Sequence, residues 1–353
     1  MSIELKVNDL KPGMVLDKDV FANGMMLLAK GSVIKPSYIA HLAARGIPTI
    51  TVRAAETKYE DILLNPVQKF YAETYENVGN IIDQLKGNMP IATSHIFPIV
   101  ERIMETVFVN QDSMLLLTGF QGVYDYHYAH SLDVCIYSLI TARALDLTYE
   151  EIVTLGMGAL LHDVGKTRIS DQILFKQGSL TAAEYEEVKK HSQHGYDIVI
   201  RIPGIKRNVA QIVLQHHERC DGSGYPGNLC GASINPLAKL VAVADIYDAL
   251  TSDRVYRKKV LPHEAAEFLL GTSNTLLDPE IVKVFLKNIA IYPTGCQVLL
   301  NTNEVAIVHD SNPNMPLRPV LKITTDKKGN PLKTPFTCDL QSKPQLFIIN
   351  IFN

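Results

Sequence analysis

The first fifty residues have the hydrophobic pattern of short strands joined by turns. Residues 1–53 alternate short apolar runs with two glycine-containing turns, at Asn23-Gly24 and Lys30-Gly31. Such turns between apolar runs are typical of β-hairpins. The segment PSYIAHLAARGI then predicts one short helix that ends at Gly46. We therefore expect a small β-rich N-terminal domain over residues 1–56.

The pattern changes to a helical period after residue 65. Apolar side chains recur every three or four residues from Val67 to Leu85, which predicts an amphipathic helix that ends at the KGNMP segment. A second apolar stripe begins near Ser94 and runs to Val107. We assign residues 57–120 to a helical connector. Packing within one chain is the first interpretation of these helices, and joining two domains or pairing with a second subunit are the alternatives.

The rest of the chain divides into a helical part and a β-rich part. Residues 121–290 are predicted to be almost wholly helical, with Asp278 and Pro279 as the N-cap and first residue of the last helix. Short β-prone runs separated by turn residues fill residues 291–353 and predict a small β-barrel or sandwich. The expected fold is mainly α, with a central helical domain flanked by small β-rich N- and C-terminal units.

Composition excludes several classes of protein. The chain has 353 residues, of which 46% are hydrophobic, and a formal net charge of −3, so charge gives no reason to expect long nucleic acid or an anionic membrane as a partner. It shows no signal peptide, and no apolar run reaches the ~18 residues of a membrane span. The five cysteines are scattered and never form CxxC. We therefore predict a cytoplasmic protein without disulfides.

The segment LLHDVGKTRI, residues 160–169, places polar side chains inside an apolar stripe. Its apolar residues have the spacing of a buried helix face, yet His162, Asp163 and Lys166 are interspersed among them. Unpaired charges buried in this way are strongly destabilising. His162 and Asp163 would lie about 100° apart around a helix. Both can reach one site only if that site is broad enough for more than one ion.

Histidines are concentrated in the same part of the chain. Seven of the eleven lie between residues 127 and 217, and several follow apolar stripes. A single histidine on an apolar face is usually a core residue, so the hypothesis depends on the whole set. The candidate donors, five histidines and two aspartates on separate helices, are His130, His162, Asp163, His191, His216, His217 and Asp245.

Metal coordination would explain these polar groups, because a divalent cation satisfies carboxylate and neutral imidazole together. Seven donors are too many for one tetrahedral ion. We expect two metal ions, with the carboxylate of Asp163 as a bridge and a shared hydroxide as the nucleophile. Mixed nitrogen and oxygen ligation without thiolate suits Fe, Mn, Ni or Zn; iron is the first expectation, although ligand type alone does not choose among them. Lys166 has two interpretations. Its ammonium would bind a phosphoryl oxygen as negative charge develops on that oxygen in the reaction, or it is a surface lysine near the end of a helix.

Three motifs identify a family resemblance. HDVGK (162–166), HHERCDGSGYPG (216–227) and ADIYDALTSDRVYR (244–257) resemble, in order and spacing, the signatures of the HD-GYP domain, a branch of the HD superfamily of metal-dependent phosphohydrolases. The resemblance covers roughly residues 121–290, so this region would be the catalytic domain. It implies cyclic di-GMP phosphodiesterase activity, with hydrolysis to linear pGpG and then to GMP if a second step occurs.

The resemblance also implies roles for particular residues. Asp163 and Lys166 would be catalytic, and Lys166 would contact the scissile phosphate. Arg254 and Arg257 would hold the phosphates of the ligand, or they form a solvated basic helix end. Tyr225, in the glycine-rich DGSGYPG loop, would stack on a guanine, although this loop could also be a protein docking site or a rigid connector. The implied metal ligands are His130, His162, Asp163, His191, His216, His217 and Asp245.

The sequence departs from the family pattern at a few positions. Members with a third metal have a Glu where this chain has Tyr126, so we predict two metals rather than three, which would favour stopping at pGpG. Cys220 replaces the usual aromatic residue before Asp-Gly. His127 and His194 match no family ligand. We interpret them as structural residues or as residues that support the metal ligands without binding the metal.

Three other functions remain open. The substrate could be another cyclic dinucleotide, such as cyclic GMP-AMP, or a nucleotide monoester. The protein could also be a non-enzymatic regulator that binds ligand or protein partners, although such members usually lose ligands and this one keeps all seven. The basic residues that we expect to bind phosphate argue against a diiron oxygenase. A homodimer and a protein partner at the GYP loop are further expectations for its interactions.

Overall fold

The computed structural model of the protein divides into two compact units. They comprise Met1–Lys69 with Phe120–Tyr126, and Phe70–Gly119 with His127–Asn353. The predicted four-domain division stays a prediction. The structure describes residues 2–10, 14, 16–18, 20–22, 25–28, 34, 42, 47–53, 66–111, 114–115, 118, 126–176, 178–252, 259–289, 291–292, 294–312 and 315–352.

The first unit contains two small antiparallel sheets. Strand β1 (Ser2–Lys6) pairs with β4 (Thr49–Arg53), and β2 (Val20–Ala22) pairs with β3 (Met25–Leu28). A cluster of buried apolar side chains that includes Leu16 and Val52 forms its core. The predicted β-rich N-terminal unit is therefore confirmed. The turns at 23–24 and 30–31, and almost all of the helix predicted to end at Gly46, lie outside the described residues.

Helices make up most of the second unit, and the first residues of two of them, Pro66–Lys69 and Tyr126, are assigned to the first unit. Their bounds are α1 (Pro66–Lys86), α2 (Thr93–Val109), α3 (Tyr126–Arg143), α4 (Tyr149–Leu161), α5 (Asp171–Leu174), α6 (Ala182–Lys189), α7 (His191–Val199), α8 (Arg207–Gln215), α9 (Pro236–Thr251), α10 (Pro262–Thr272) and α11 (Pro279–Asn288). Several begin as their sequences dictate. Thr148 and Glu151 form a capping box at α4, and the Asp278 side chain accepts hydrogen bonds from the first turn of α11, as predicted.

Helices α1 and α2 pack within the chain. The predicted apolar stripe of α1, including Phe70, Val78 and Leu85, is buried. On α2 the buried face includes Val100, whose Cγ1 lies 2.5 Å from where a Cβ on Gly156 of α4 would be. The absence of a side chain at Gly156 thus allows α2 to approach α4 closely. Packing within one chain, the first interpretation of these helices, is confirmed.

The C-terminal strands form one antiparallel sheet. They are β5 (Gln297–Leu300), β6 (Val305–Asp310), β7 (Val320–Thr325), β8 (Pro331–Asp339) and β9 (Ile348–Phe352), in the order β8-β7-β6-β5-β9. Alternate residues such as Val298, Val308 and Leu321 are buried, as the period of a strand requires. A mainly α fold with small β-rich units at both ends is therefore confirmed.

None of the helices in the described part of the chain combines the length and apolar character that a membrane crossing requires.

Candidate metal centre

Helix α4 carries the first two candidate ligands into the interior. Its residues from Ile152 to Leu161 are all buried, and the α-helix ends at Leu161. His162 keeps helical backbone angles, whereas Asp163 leaves the helix with φ −98° and ψ 4°. The sequence had suggested that His162 and Asp163 lie on one regular helix. The structure shows that they do not. The turn at Asp163 brings its Oδ2 to 3.4 Å from His162 Nε2.

The other candidate ligands come from four more helices. His130 lies within α3, His191 is the first residue of α7, and His216 ends α8 with His217 beside it. Asp245 lies in α9, after the buried apolar run that the sequence showed. His217 is partly exposed and the others are buried. The structure brings all seven sequence-predicted donors together, and their role as ligands remains a proposal.

The seven side chains form two groups of converging donor atoms. Group A consists of Asp163, His191, His216 and His217, and group B consists of His130, His162 and Asp245; within each group the donor atoms lie within 4.8 Å of one another. In group A the Nε2 atoms of His191 and His216 are 3.3 Å apart. In group B the Nε2 atoms of His130 and His162 are also 3.3 Å apart. Each group therefore directs its donors at a common point.

Backbone carbonyls orient three of the imidazole rings. Nδ1 of His162, His191 and His216 lies 2.8, 2.7 and 2.7 Å from the carbonyl oxygen of the residue three positions earlier. A carbonyl oxygen only accepts hydrogen bonds, so each Nδ1 donates its proton and each Nε2 presents a lone pair to the centre. This tautomer is the one that metal-binding histidines adopt when Nε2 is the ligand.

A carboxylate takes the place of the carbonyl behind His130. Its Nδ1 lies 2.6 Å from Oδ2 of Asp248, which is fully buried and accepts a hydrogen bond from Ser252 through Oδ1. Sequence reasoning missed Asp248. The signal was its position three residues after Asp245, which places both carboxylates on one face of α9.

Asp163 connects the two groups. Its Oδ1 lies 3.4 Å from His191 Nε2 in group A, and its Oδ2 lies 3.6 Å from His130 Nε2 in group B. Oδ1 is buried and makes no hydrogen bond among the described residues, whereas Oδ2 accepts one from Lys166. A buried carboxylate oxygen facing imidazole lone pairs is unfavourable unless a cation lies between them. The arrangement fits a carboxylate shared by two metal ions.

Asp245 spans the groups in a similar way. Its Oδ1 lies 3.2 Å from His130 Nε2, and its Oδ2 lies 3.8 Å from His217 Nδ1. His217 therefore turns Nδ1 to the centre, unlike the three rings held by carbonyls. The two carboxylates face both groups of imidazoles.

The protonation equilibria also favour a bound cation. Burial lowers the pKa of every histidine in group A, to about 4 for His191, so these rings are neutral near pH 7. Burial would also favour a neutral ring at His130, but hydrogen bonds to Asp245 and Asp248 raise the pKa of His130 to about 9. This ring therefore occupies a position where its two carboxylate neighbours stabilise positive charge.

The two aspartates are ionised in spite of their burial. Burial by itself raises the pKa of Asp163, but the Lys166 ammonium and His162 hold it well below its usual range. For Asp245 the hydrogen bond to His130 likewise overcomes the effect of burial and lowers the pKa. Anionic carboxylates beside neutral imidazoles are a donor set that divalent transition metals bind.

The remaining sequence-predicted site residues have different outcomes. Lys166 lies in the short 3₁₀ helix Val164–Arg168 and donates to Asp163. The Tyr225 ring lies 4.7 Å from the His217 ring, at an interplanar angle of 30°. Arg254 and Arg257 lie outside the described residues. Neither donor group includes His127 or His194.

Glu218 fixes the loop that carries Tyr225, and sequence reasoning missed it as well. This buried side chain accepts hydrogen bonds from the backbone N–H of Gly227, at 2.6 Å, and of Leu229, at 2.9 Å. A Cβ on Gly224 would lie 2.5 Å from Cα of Glu218, so the loop can fold onto this residue only with glycine there. The signal was an acidic residue directly after a histidine pair.

Comparison with known proteins identifies the class. The HD domain family matches residues 126–281, and the KOW domain associated with HD domain matches residues 297–353. The match to residues 126–281 confirms the predicted HD-type helical bundle. This HD domain protein is related to the HD-GYP cyclic di-GMP phosphodiesterases.

Two curated relatives and one solved structure are similar to parts of this chain. The cyclic di-GMP phosphodiesterase PA4108 of Pseudomonas aeruginosa is 35% identical over 233 residues, which cover 66% of this chain and 56% of that protein. The 3'3'-cGAMP-specific phosphodiesterase 3 of Vibrio cholerae is 31% identical over 216 residues, 60% of this chain and 45% of that protein. The HDG"Y"P protein Bd1817 of Bdellovibrio bacteriovorus is 19% identical with a TM-score of 0.49, covering 81% of this chain and 98% of that one. The chain therefore spans about half the length of these two curated relatives.

Proposed function

We propose that this protein is a metal-dependent phosphodiesterase that hydrolyses a cyclic dinucleotide. The proposed substrate is cyclic di-GMP and the proposed product is pGpG. Any second step of hydrolysis would give GMP. The observation that carries the proposal is the pair of buried donor groups connected by Asp163. Relatives named as cyclic di-GMP phosphodiesterases support the choice of substrate.

The donor groups are suited to two divalent cations. Such ions would supply a water of lowered pKa and neutralise charge on the phosphate. Iron is the metal we propose first, with manganese, nickel or zinc as alternatives, because nitrogen and oxygen donors suit all four. The backbone carbonyls behind Nδ1 of His162, His191 and His216 hold the lone pairs of these rings in place before any ion binds. Asp248 fixes the orientation of the His130 ring.

Basic side chains would stabilise the phosphate in the transition state. The Lys166 ammonium lies beside Asp163 and is partly exposed, so it can turn from that carboxylate to a phosphoryl oxygen as charge develops there. We propose that Arg254 and Arg257 hold the phosphates, because a guanidinium offers a planar fork of donors to phosphate oxygens. In the proposed reaction a water oxygen attacks phosphorus in line, and the bond from phosphorus to the 3′ oxygen breaks as the new P–O bond forms. The water gives up a proton, and the 3′ oxygen takes up a proton as it leaves.

A second candidate substrate is cyclic GMP-AMP. The similarity to a cGAMP-specific phosphodiesterase of Vibrio cholerae favours it. Metal ions held by the donor groups would act on the phosphodiester rather than on the base. Parallel assays with cyclic di-GMP and cyclic GMP-AMP distinguish the two candidates by their relative kcat/KM. Homodimer formation and protein binding at the GYP loop remain predictions.

The proposal is tested by elemental analysis of anaerobically purified protein together with chromatography of the products of cyclic di-GMP. We expect two transition-metal ions per chain and formation of pGpG, and we expect His162→Ala and Asp163→Ala to abolish hydrolysis while circular dichroism stays native. The matched control is His194→Ala, which removes a histidine of α7 that belongs to neither group. Wild-type turnover by metal-stripped protein would disprove the proposal, and an inactive wild type with both metals bound would favour the non-enzymatic regulator.

A further inference from the structure

A lysine next to the candidate metal centre lies between two tyrosine rings. Lys189 is the last residue of α6, two positions before His191. Its Nζ lies 5.5 Å from the ring centroid of Tyr185 and 5.7 Å from that of Tyr225. The contact with Tyr185 joins neighbours one turn apart on α6. The contact with Tyr225 joins α6 to the GYP loop and arises only from the tertiary fold.

The Tyr225 ring lies at the edge of the centre, in contact with two of the candidate ligands. It lies 4.7 Å from the ring of His217 and 6.3 Å from the ring of His191, where it makes an edge contact. Its backbone N–H donates to the carbonyl oxygen of His217, and Glu218 anchors the following residues of the loop. The Lys189 ammonium and the Tyr185 ring thus continue from the Tyr225 ring, which itself contacts two of the candidate ligands.

Helix α6 is not needed for the hydrophobic core. None of its residues is buried, and Tyr185 is 51% exposed. Core packing therefore does not account for a tyrosine at this position. A half-exposed ring beside a site for phosphates offers a stacking surface for a base, because bases stack on aromatic side chains.

The ammonium adds selectivity to this surface. Guanine presents two acceptors, O6 and N7, on one edge, and a lysine can donate to both. Adenine presents an N6 amino donor beside N7, which would face the ammonium. Resting on the proposed function, we infer that Tyr185 and Lys189, together with Tyr225, form a subsite that binds a guanine base of the cyclic dinucleotide and discriminates against adenine.

The test compares Lys189→Met with Lys190→Met. Both lysines form an ion pair with the glutamate three residues earlier, but among the described residues only Lys189 lies over a tyrosine ring, and Lys190 does not. Loss of a local ion pair is therefore common to both variants. We expect Lys189→Met to raise KM for cyclic di-GMP about tenfold, equal to about 1.4 kcal/mol, with a much smaller change in kcat. Lys190→Met should leave both constants at wild-type values.

Discrimination is measured with cyclic di-AMP as a competitive inhibitor. In the wild type its inhibition constant should exceed the KM for cyclic di-GMP by about tenfold or more, and in Lys189→Met the two constants should approach each other. Tyr185→Ala should raise KM about tenfold through lost stacking, and Tyr185→Phe, which keeps the ring, should recover most of that loss.

The outcomes separate this inference from the proposed function. If the wild type with both metals hydrolyses neither cyclic di-GMP nor bis(p-nitrophenyl) phosphate, a phosphodiester without a base, the proposed function fails. If it hydrolyses cyclic di-GMP but Lys189→Met behaves like Lys190→Met, the guanine subsite is refuted. Equal binding of cyclic di-AMP and cyclic di-GMP by an active wild type also refutes it.

Discussion

Asp248 is the residue on which the orientation of His130 depends. The Asp248 Oδ2 atom lies 2.6 Å from His130 Nδ1. The Asp248 carboxylate is one of the two carboxylates that raise the pKa of the His130 ring. A carboxylate behind a metal-binding imidazole fixes the ring and increases its basicity. Asp248 is thus a positioning residue, since it acts on the centre through His130.

Asp248→Asn should weaken metal binding while leaving the fold intact. The amide keeps the size of the side chain but removes the negative charge behind His130, and loss of such a partner typically lowers metal affinity or activity by about 10- to 100-fold. Competition with a chelator, read by metal content, measures the change. Ser252→Ala, which removes one hydrogen bond from the other oxygen of Asp248, should have a smaller effect. An affinity unchanged in Asp248→Asn would contradict the role of this carboxylate.

Gly165 shows how a single residue allows the turn after Asp163. A Cβ at this position would lie 1.9 Å from the carbonyl oxygen of His191 and 2.4 Å from the backbone nitrogen of Gly195. No side chain fits there, so the segment that carries Asp163 and Lys166 can lie directly against α7 only with glycine. The sequence shows the glycine, but the reason for it is a contact with a distant helix.

Helix α1 holds α3 on both sides of His130. The Tyr71 hydroxyl donates to Asp133 Oδ1 at 2.6 Å, in the buried interior, and the Tyr128 hydroxyl donates to Asp83. The Tyr128 ring lies over Gly79, where a Cβ would be 3.0 Å from the ring. These contacts fix the position of α3 relative to α1. A helix of the predicted connector thereby supports a helix that carries a candidate ligand.

Tyr71→Phe should destabilise the protein by about 1–3 kcal/mol, because it removes a buried hydrogen bond to a carboxylate. Urea denaturation measures the change in the free energy of unfolding. The matched control is Tyr149→Phe, which removes the hydrogen bond from an exposed tyrosine to Glu101 and should change stability little. Equal effects of the two substitutions would show that burial of the Tyr71 contact is unimportant.

At the scale of the whole molecule, the proposed metals would connect five helices. The donors come from α3, the end of α4, α7, the end of α8 and α9. Without cations, the centre holds two anionic carboxylates and several desolvated imidazoles in one buried space. Metal ions bound only by the folded state stabilise it by mass action.

Removal of metal should therefore lower the melting temperature of the helical domain. Free metal at a hundredfold excess over Kd stabilises the folded state by about 2.7 kcal/mol. Differential scanning calorimetry of chelated and metal-reconstituted protein measures the shift, and Asp163→Ala should reduce it. Magnesium, which prefers oxygen donors, serves as the control ion and should restore little stability. A melting temperature independent of transition metal would contradict a metal centre that spans these helices.

The sequence by itself determined the local structure and the chemistry of the candidate site. The stripe from Val67 to Leu85 and the Asp278-Pro279 start were sufficient to predict helices α1 and α11, because helix formation depends on neighbours within one or two turns. The seven donors were found for the same reason, since polar groups that interrupt apolar stripes can be read along the chain.

Only the tertiary structure decided how those residues meet. The division of the donors into two groups, the position of Asp163 between them and the support of His130 by Asp248 depend on packing between helices far apart in sequence. The contact of Lys189 with Tyr225 likewise requires α6 and the GYP loop to lie side by side. Local periodicity contains no information about such long-range contacts, because they are set by which faces of different helices are buried against each other.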